Sequence, residues 1–433
     1  MKMKKNKIRV ISAVVSAIML ASSASAFAKF DAYNDSDGFT LGHYEAEVNQ
    51  EQRADTEKLY EQRPKNERQF ENLSRGLVAV PGENGTLVSW RFLGTDSNSL
   101  TYNLYCSGEK LNDKPITTTN FFHTGASTNA EYTLKEVENG EETGVEYTTT
   151  AWDKNYIGFK VTEREGYNID DGAVADLDGD GEYEILLRRV PSMDVNTRTS
   201  YPVIEAYKTD GTHMWTIDIG PNEINEVDIN FLAYDMDGDG KAEVIMRSFE
   251  GTTDGKGNTT GDTNGDEITD YSKSESNLAI FKERQYIVST PEFLSIYDGE
   301  TGEETDRTDL KPSKEPLSDW SYRYSDTGRL TKRASHYLFG LAYLDGVTPS
   351  VVMVRGAWDN VRAAAWHIED GKFKEDWVHN TENKDDVNSI WGACNHNLVT
   401  VDVDFDGKDE ILSGPMAIDH DGSEMYAVKV YEV

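Results

Sequence analysis

The nine residues "DLDGDGEYE" at 176–184 crowd five acidic side chains into one short stretch, and near copies recur as "DMDGDGKAE" at 235–243 and "DVDFDGKDE" at 402–410. Each copy has Asp at positions one, three and five, Gly at six and Glu at nine. Alternate Asp side chains in a tight turn converge on one point. The glycine permits the bend, the Glu closes the shell, and hard oxygen ligands at this density match calcium. An EF-hand loop closes with its acid at position 12, so these are shorter loops between strands. The sequence therefore selects Asp176, Asp178, Asp180 and Glu184, then Asp235, Asp237, Asp239 and Glu243, then Asp402, Asp404, Asp406 and Glu410 as calcium ligands. Their expected role is structural, pinning strands without a direct part in chemistry. An acidic hairpin turn solvated by water is the alternative. "GDTNGDEITD" at 261–270 spaces Asp262, Asn264, Asp266 and Asp270 similarly, but Glu267 stands where glycine would make the turn, and a solvated loop suits it equally well.

Each acidic loop runs into an apolar strand: "EILLRRV", "EVIMRSF" and "EILSG". These alternate with glycine-turn hairpins, "IEAYKTDGTHMWTIDIG", "LSIYDGETGEETDRTDL" and "AAWHIEDGKFKEDWV". Asp176 and Asp235 lie 59 residues apart, and Asp402 follows 167 residues later, close to three such steps. "LAYLDGVTPSVVMVRG" at 341–356 reads as an eroded unit of the same kind. A β-rich repeat of this length predicts propeller blades, about four to five of them over 163–433. Residues 251–292 are too long and polar for a hairpin loop and read as an insertion. Upstream, "GLVAVPGENGTLVSWRFLG", "LTYNLYCSGEKLND" and "EYTTTAWDK" alternate in β-branched and aromatic residues between turns. They predict a small fibronectin- or Ig-like β-sandwich over 71–162. The expected fold class is all-β, a sandwich followed by an incomplete propeller. Residues 29–70 read as a polar lead-in.

The first 28 residues combine a basic start (Lys2, Lys4, Lys5, Lys7, Arg9), a short apolar run from Ile11 to Leu20, and small-residue cleavage sites at 24–28. This predicts a secretory signal peptide, too short to span a bilayer, and hence a secreted, extracellular protein. The whole chain carries a net charge of −35, and losing the leader removes five positive charges more. So acidic a surface repels nucleic acid and anionic membranes. The 22 Tyr, 15 Phe and 8 Trp argue for a packed core rather than disorder. Cys106 and Cys394 are too few for a disulfide framework.

The ordered set "SRGLVAV", "NGTLVSWRFLGTD", "DGAVADLDGDGEYEILL", "LAYDMDGDGKAEV", "FLSIYDGETGE", "AYLDGVTPSVVMVRG" and "CNHNLVTVDVDFDGKDEIL" resembles the rhamnogalacturonan lyases of polysaccharide lyase family eleven. The resemblance runs from about residue 68 to 425. It implies an eight-bladed β-propeller behind a sandwich domain, bound calcium, and eliminative cleavage of the rhamnose–galacturonate backbone of pectin, rhamnogalacturonan I. It also implies a calcium at the substrate, distinct from those that pin blades. Family members continue well past "GPMAIDHDG", whereas this sequence stops at Val433, so an incomplete ring is expected.

The resemblance further implies site residues. Asp170 and Asp171 stand where the family has an Asn-Asp pair that binds metal, while Val190 stands where it has an Asp. Arg247 and Arg355 follow strands at positions where the family holds polysaccharide, and Asn395-His396-Asn397 matches the family text. His396, Asn395, Arg247 and Arg355 are thus the expected substrate contacts, and no residue is singled out as the general base. His336 and His367 sit in strand-like text and read as structural, as do Trp215, Trp366 and Trp377. A calcium-stabilised module that binds pectin or a protein without cutting is the alternative, favoured by Val190 and the early end.

Overall fold

The computed structural model describes Lys58, Gln62, Pro64 and residues 67–427, apart from 126–128, 193–199, 224–228, 283, 322–323, 357–359, 381–389 and 391–395. The chain falls into two compact units. One comprises Phe70–Leu310 with Glu369–Lys372, and the other comprises the rest.

The first unit opens with seven strands: β1 (Val78–Gly82), β2 (Gly85–Ser89), β3 (Thr101–Cys106), β4 (Glu109–Lys110), β5 (Asn120–Thr124), β6 (Glu131–Glu138) and β7 (Glu141–Thr150). They form two antiparallel sheets, ordered β1-β2-β5 and β4-β3-β6-β7. Alternation along the strands sends Val88, Trp90, Tyr102, Leu104, Tyr132 and Leu134 into one shared core. A bulge between Lys135 and Val137 shifts the buried face of β6 by one residue, which is why Val137 follows Tyr132 and Leu134 inward. Gly85 is required at the start of β2, since a Cβ there would meet the His123 carbonyl at 2.4 Å.

Two four-stranded meanders follow in the same unit. β8 (Tyr167–Ala175), β9 (Glu184–Pro191), β10 (Val203–Tyr207) and β11 (His213–Asp218) pair in sequence order. In the second, β12 (Phe231–Tyr234), β13 (Glu243–Phe249), β16 (Glu292–Tyr297) and β17 (Glu304–Asp309) pair likewise. A separate hairpin, β14 (Leu278–Phe281) and β15 (Arg284–Ile287), lies in the inserted segment between β13 and β16. The inner strands are buried along nearly their whole length, which explains their unbroken apolar runs. One core, including Leu177, Ile204, Trp215, Met246 and Tyr297, joins the two sheets. Trp215 closes the join: its ring lies against Gly302, where a Cβ would clash at 2.8 Å, and its Nε1 donates to Gly299 O at 2.7 Å.

The other unit holds α1 (Thr327–Ser335), capped by the Asp326 side chain, and two further meanders. These are β18 (Tyr337–Ala342) to β21 (Lys372–Asn380), through β19 (Ser350–Arg355) and β20 (Arg362–Glu369), and then β22 (Val399–Val401), β23 (Glu410–Ser413), β24 (Met416–Ile418) and β25 (Glu424–Ala427). Val352, Val354, Ala363, Ile411 and Ile418 share their core. Trp377 on β21 repeats the Trp215 device, lying against Gly422 and donating to His420 O at 3.0 Å. Trp366 is buried within β20. The described residues are thus strand-built throughout, and no helix among them is long and apolar enough to cross a membrane.

Candidate metal centres

The three acidic loops occupy one place in the repeat, the turn between the first and second strands of a meander. Their flanking residues pair directly in the same register: Ala175 with Glu184, Tyr234 with Glu243, and Val401 with Glu410. The Glu at position nine therefore starts the second strand each time. Its carboxylate turns back to accept the backbone N–H of position two: Leu177 to Glu184 at 2.8 Å, Met236 to Glu243 at 2.8 Å, and Val403 to Glu410 at 2.6 Å. The Asp at position one accepts the N–H of the glycine at six: Gly181 to Asp176 at 2.8 Å, Gly240 to Asp235 at 3.1 Å, and Gly407 to Asp402 at 3.1 Å. Those glycines have φ of 86°, 92° and 94°, a conformation that side chains resist. Positions one and nine thus build the turn, and oxygens at one, three and five are left to converge.

They do converge. Asp176, Asp178 and Asp180 each bring an oxygen within 4.8 Å of the others, and so do Asp235, Asp237 and Asp239. In the third loop the sets are Asp402, Asp404 and Glu410, and Asp406, Glu410 and His420. Burial drives the Glu243 carboxyl up to about 8, with the charges of Asp237, Asp235 and Asp239 adding to it. Glu410 is pushed up to about 9 by burial and then by Asp404, Asp419 and Asp402. Asp402 Oδ1 and Glu410 Oε1 are buried without a hydrogen-bond partner among the described residues. An all-oxygen donor set with buried, unanswered carboxylates fits a hard dication, whose charge would reverse the upward shift.

The first loop differs. Lys208, the residue after β10, brings its ammonium against Asp178, 3.8 Å from Asp180 and 3.6 Å from Glu184. The corresponding residue after the third strand is Asp298 in the second meander and Asp419 in the fourth. Glu71, in the lead to the sandwich, is pushed up to about 7 by burial and then by Asp235 and Asp176. Neither Lys208 nor Glu71 was selected from sequence. Lys208 is visible only when "IEAYK", "LSIYD" and "PMAID" are superposed; Glu71 carries no such signal.

The remaining expected residues do not gather with the loops. Asp170 and Asp171 lie exposed on β8 beside Arg188, whose Nε donates to Asp170 Oδ2 at 2.9 Å. Val190 is buried on β9. Arg247 is 3% exposed and pairs with Glu223 and Glu292, and Arg355 is 0% exposed, donating to the carbonyls of Ala334 (2.5 Å) and Pro312 (3.0 Å). Both guanidiniums, expected as substrate contacts, are enclosed by these partners rather than exposed. Removing one partner of a buried ion pair such as Arg247–Glu223 costs about 3–5 kcal/mol. His396 is exposed, its ring 5.0 Å from that of His336, and Asn397 accepts from Gly414 N at 3.2 Å. Asn395 and Cys394 lie outside the described residues.

Comparison with known proteins agrees with this architecture. Residues 158–432 match the model of the rhamnogalacturonan lyase family 11 C-terminal domain, and residues 68–152 match that of the rhamnogalacturonan I lyase beta-sheet domain. The chain is 38% identical over 375 residues to the rhamnogalacturonan endolyase YesW of Bacillus subtilis, covering 83% of this chain and 57% of that protein. It is 37% identical over 376 residues to the exolyase YesX of the same organism, covering 83% and 58%. The YesW crystal structure superposes with a TM-score of 0.71 at 37% identity over 83% of this chain and 61% of that one. A rhamnogalacturonan lyase of Bacillus licheniformis superposes at 0.70, again with 37% identity and the same coverage. This chain spans less than two thirds of the length of the relatives it matches. With the family model covering most of the sequence and the all-β fold shared with solved members, the chain belongs to rhamnogalacturonan lyase family 11.

Proposed function

We propose that this protein is a secreted, calcium-dependent rhamnogalacturonan lyase that cuts the rhamnose–galacturonate backbone of pectin, rhamnogalacturonan I, by β-elimination. The observation that carries this reading is the identity of 37–38% to an endolyase and an exolyase over 83% of the chain. The four meanders are read as propeller blades within 163–433, behind a sandwich over 71–162, and the leader at 1–28 is read as an export signal. Elimination removes the C5 proton of a galacturonate while the C4 glycosidic oxygen leaves, a step slowed by the adjacent carboxylate unless positive charge offsets it. Bound calcium would supply such charge. Separate from that substrate-side ion, the oxygens of Asp235, Asp237 and Asp239 and those of Asp402, Asp404 and Glu410, with Asp176, Asp178 and Asp180 as a third set, are suited to hold structural calcium. These groups hold the strand turns in place, and His396 is the exposed expected contact among the described residues.

A second reading is a calcium-stabilised module that binds pectin without cutting it. It is favoured by the buried Val190, the Arg188-paired Asp170 and the enclosed Arg247 and Arg355. The two part on one assay. Elimination leaves an unsaturated uronate that absorbs in the ultraviolet, so rhamnogalacturonan incubated with the chain should gain that absorbance with calcium and lose the gain with chelator. Retention of the polymer on immobilised protein without any absorbance rise supports the second reading, and absence of both contradicts the pair.

A further inference from the structure

The inserted segment after β13 contains a fourth loop of the same build, closed by an acid from outside it. In the three repeated loops, position one accepts the N–H of positions four and six, and a Glu accepts the N–H of position two. In the insertion, Asp262 accepts from Gly265 N (2.7 Å) and Glu267 N (2.8 Å), the fourth and sixth positions. Glu267 adopts φ of 64° there, taking the left-handed turn that glycine takes elsewhere. The N–H of position two, Thr263, donates at 2.6 Å to Glu250 Oε1, and the Thr263 hydroxyl adds a second bond at 2.5 Å. Asp270, which occupies position nine, is instead engaged with Ser272. Glu250, from the end of β13, thus does what position nine does in the other loops.

Glu250 is 0% exposed, and its second oxygen, Oε2, is buried with no hydrogen-bond partner among the described residues. Glu250, Asp262 and Asp266 each bring an oxygen within 4.8 Å of one another. A fully buried carboxylate beside two more acids, with one oxygen unanswered, is costly without a positive charge. Among the described residues no ammonium or guanidinium pairs with these three acids, unlike the first loop with its Lys208. Tyr271 donates to Asp266 Oδ2 at 2.8 Å and receives from Asn264 Nδ2 at 2.9 Å, which fixes the Asp266 carboxylate. Asn222 ties the base of the loop, donating to Glu250 O (2.7 Å) and Thr269 O (3.0 Å) and accepting from Tyr271 N (2.8 Å).

We infer that Glu250, Asp262 and Asp266 form a further calcium site, in which a carboxylate from the turn directly after β13 and two from the insertion clamp that insertion to its sheet. Three carboxylates of hard oxygen, with water free to enter on the exposed Asp side, suit calcium better than a softer transition metal. The site is separate from the three repeated loops and stands on its own geometry.

The test is calcium binding by the full chain, counted by equilibrium dialysis. Asp262 and Asp266 are exposed, so the Asp262→Asn/Asp266→Asn double variant should fold, with a chelator-treated melting curve like that of the parent. It is expected to bind one calcium fewer per chain. A Glu250→Gln variant should lose the same ion, or hold it at least tenfold more weakly. A variant with the repeated loops disabled, Asp235→Asn/Asp402→Asn, should keep this ion. Equal calcium counts in the parent and the Asp262→Asn/Asp266→Asn variant would overturn the inference while leaving the repeated loops intact. A parent that binds no calcium would overturn both.

Discussion

The first and fourth meanders carry nearly the same acidic turn but answer its charge differently. The first meander uses its own cations: Lys208 on Asp178 at the turn itself, and, further along its strands, Arg188 on Asp170 and Arg189 with Arg164 on Glu205. Around the turn at 402–410 the residue matching Lys208 is Asp419, and Asp402 and Glu410 each keep a buried oxygen with no hydrogen-bond partner among the described residues, against Asp178 Oδ1 alone in the first turn. The nine-residue pattern therefore specifies a turn, and the residue after the third strand decides whether that turn is already neutralised. The proposed cation-binding role rests on the pattern together with that residue, not on the pattern alone.

The strongest way to break this contrast is at Glu205, a fully buried acid that anchors the internal cations of the first meander. Burial alone would raise its pKa, but hydrogen bonds from Tyr207, Arg189 and Arg164 more than offset that and hold it below the ordinary value. A depressed pKa contributes stability that is present above the unfolded-state value near 4.5 and is lost as pH falls through the folded value. Glu205→Gln should cost about 3 kcal/mol at neutral pH by leaving Arg189 buried without its counter-charge. The deficit should shrink as pH falls below the unfolded-state value near 4.5 and on through the lower folded value. Urea melts of the two proteins at several pH values measure it. Adding calcium should not repair the loss.

A smaller effect is expected at the fourth meander. Asp402→Ala should remove most of the calcium-dependent gain from that turn, about 2–3 kcal/mol at a hundredfold excess of ion over Kd. Asp176→Ala should remove much less, because Lys208 already occupies part of the first loop. Calorimetric melts with and without calcium compare the two directly. Equal losses would show that Lys208 does not alter the first loop.

The subtlest test exchanges the deciding residue. Lys208→Asp should make the first turn resemble the other two, raising its calcium affinity by about tenfold, or roughly 1.4 kcal/mol. It should also lower chelator-treated stability, since three acids then face one another unrelieved. A calcium titration that leaves the affinity of this loop unchanged would show that the ammonium is a bystander.

The parts legible in sequence were those whose logic is local. Three turns were readable because Asp, Gly and Glu at fixed positions within nine residues dictate both the bend and the converging oxygens. Strand texture and turn glycines gave the meanders and the two sandwich sheets for the same reason. What escaped depended on residues far apart in the chain. Arg247 reads as an exposed base at a strand end, yet Glu223 and Glu292 enclose it. Arg355 is held by carbonyls of Pro312 and Ala334. Glu267 argued against a turn at 262–270, because the closing acid that makes that turn worthwhile, Glu250, precedes the loop and no pattern of spacing includes it. Asp170 and Asp171, expected as metal ligands, lie on β8 away from the first loop, and Arg188 on the neighbouring strand takes up their charge.

The central claim is that these acidic turns are cation sites whose buried carboxylates are relieved by calcium. It is tested most directly by melting the full chain in chelator and again after calcium is restored. The account predicts a cooperative rise in melting temperature of several degrees, saturating with calcium and not reproduced by an equal ionic strength of sodium, because each occupied site adds about 2.7 kcal/mol at a hundredfold excess over Kd. Superimposable curves in chelator and in calcium would contradict it and leave the turns as solvated acidic hairpins.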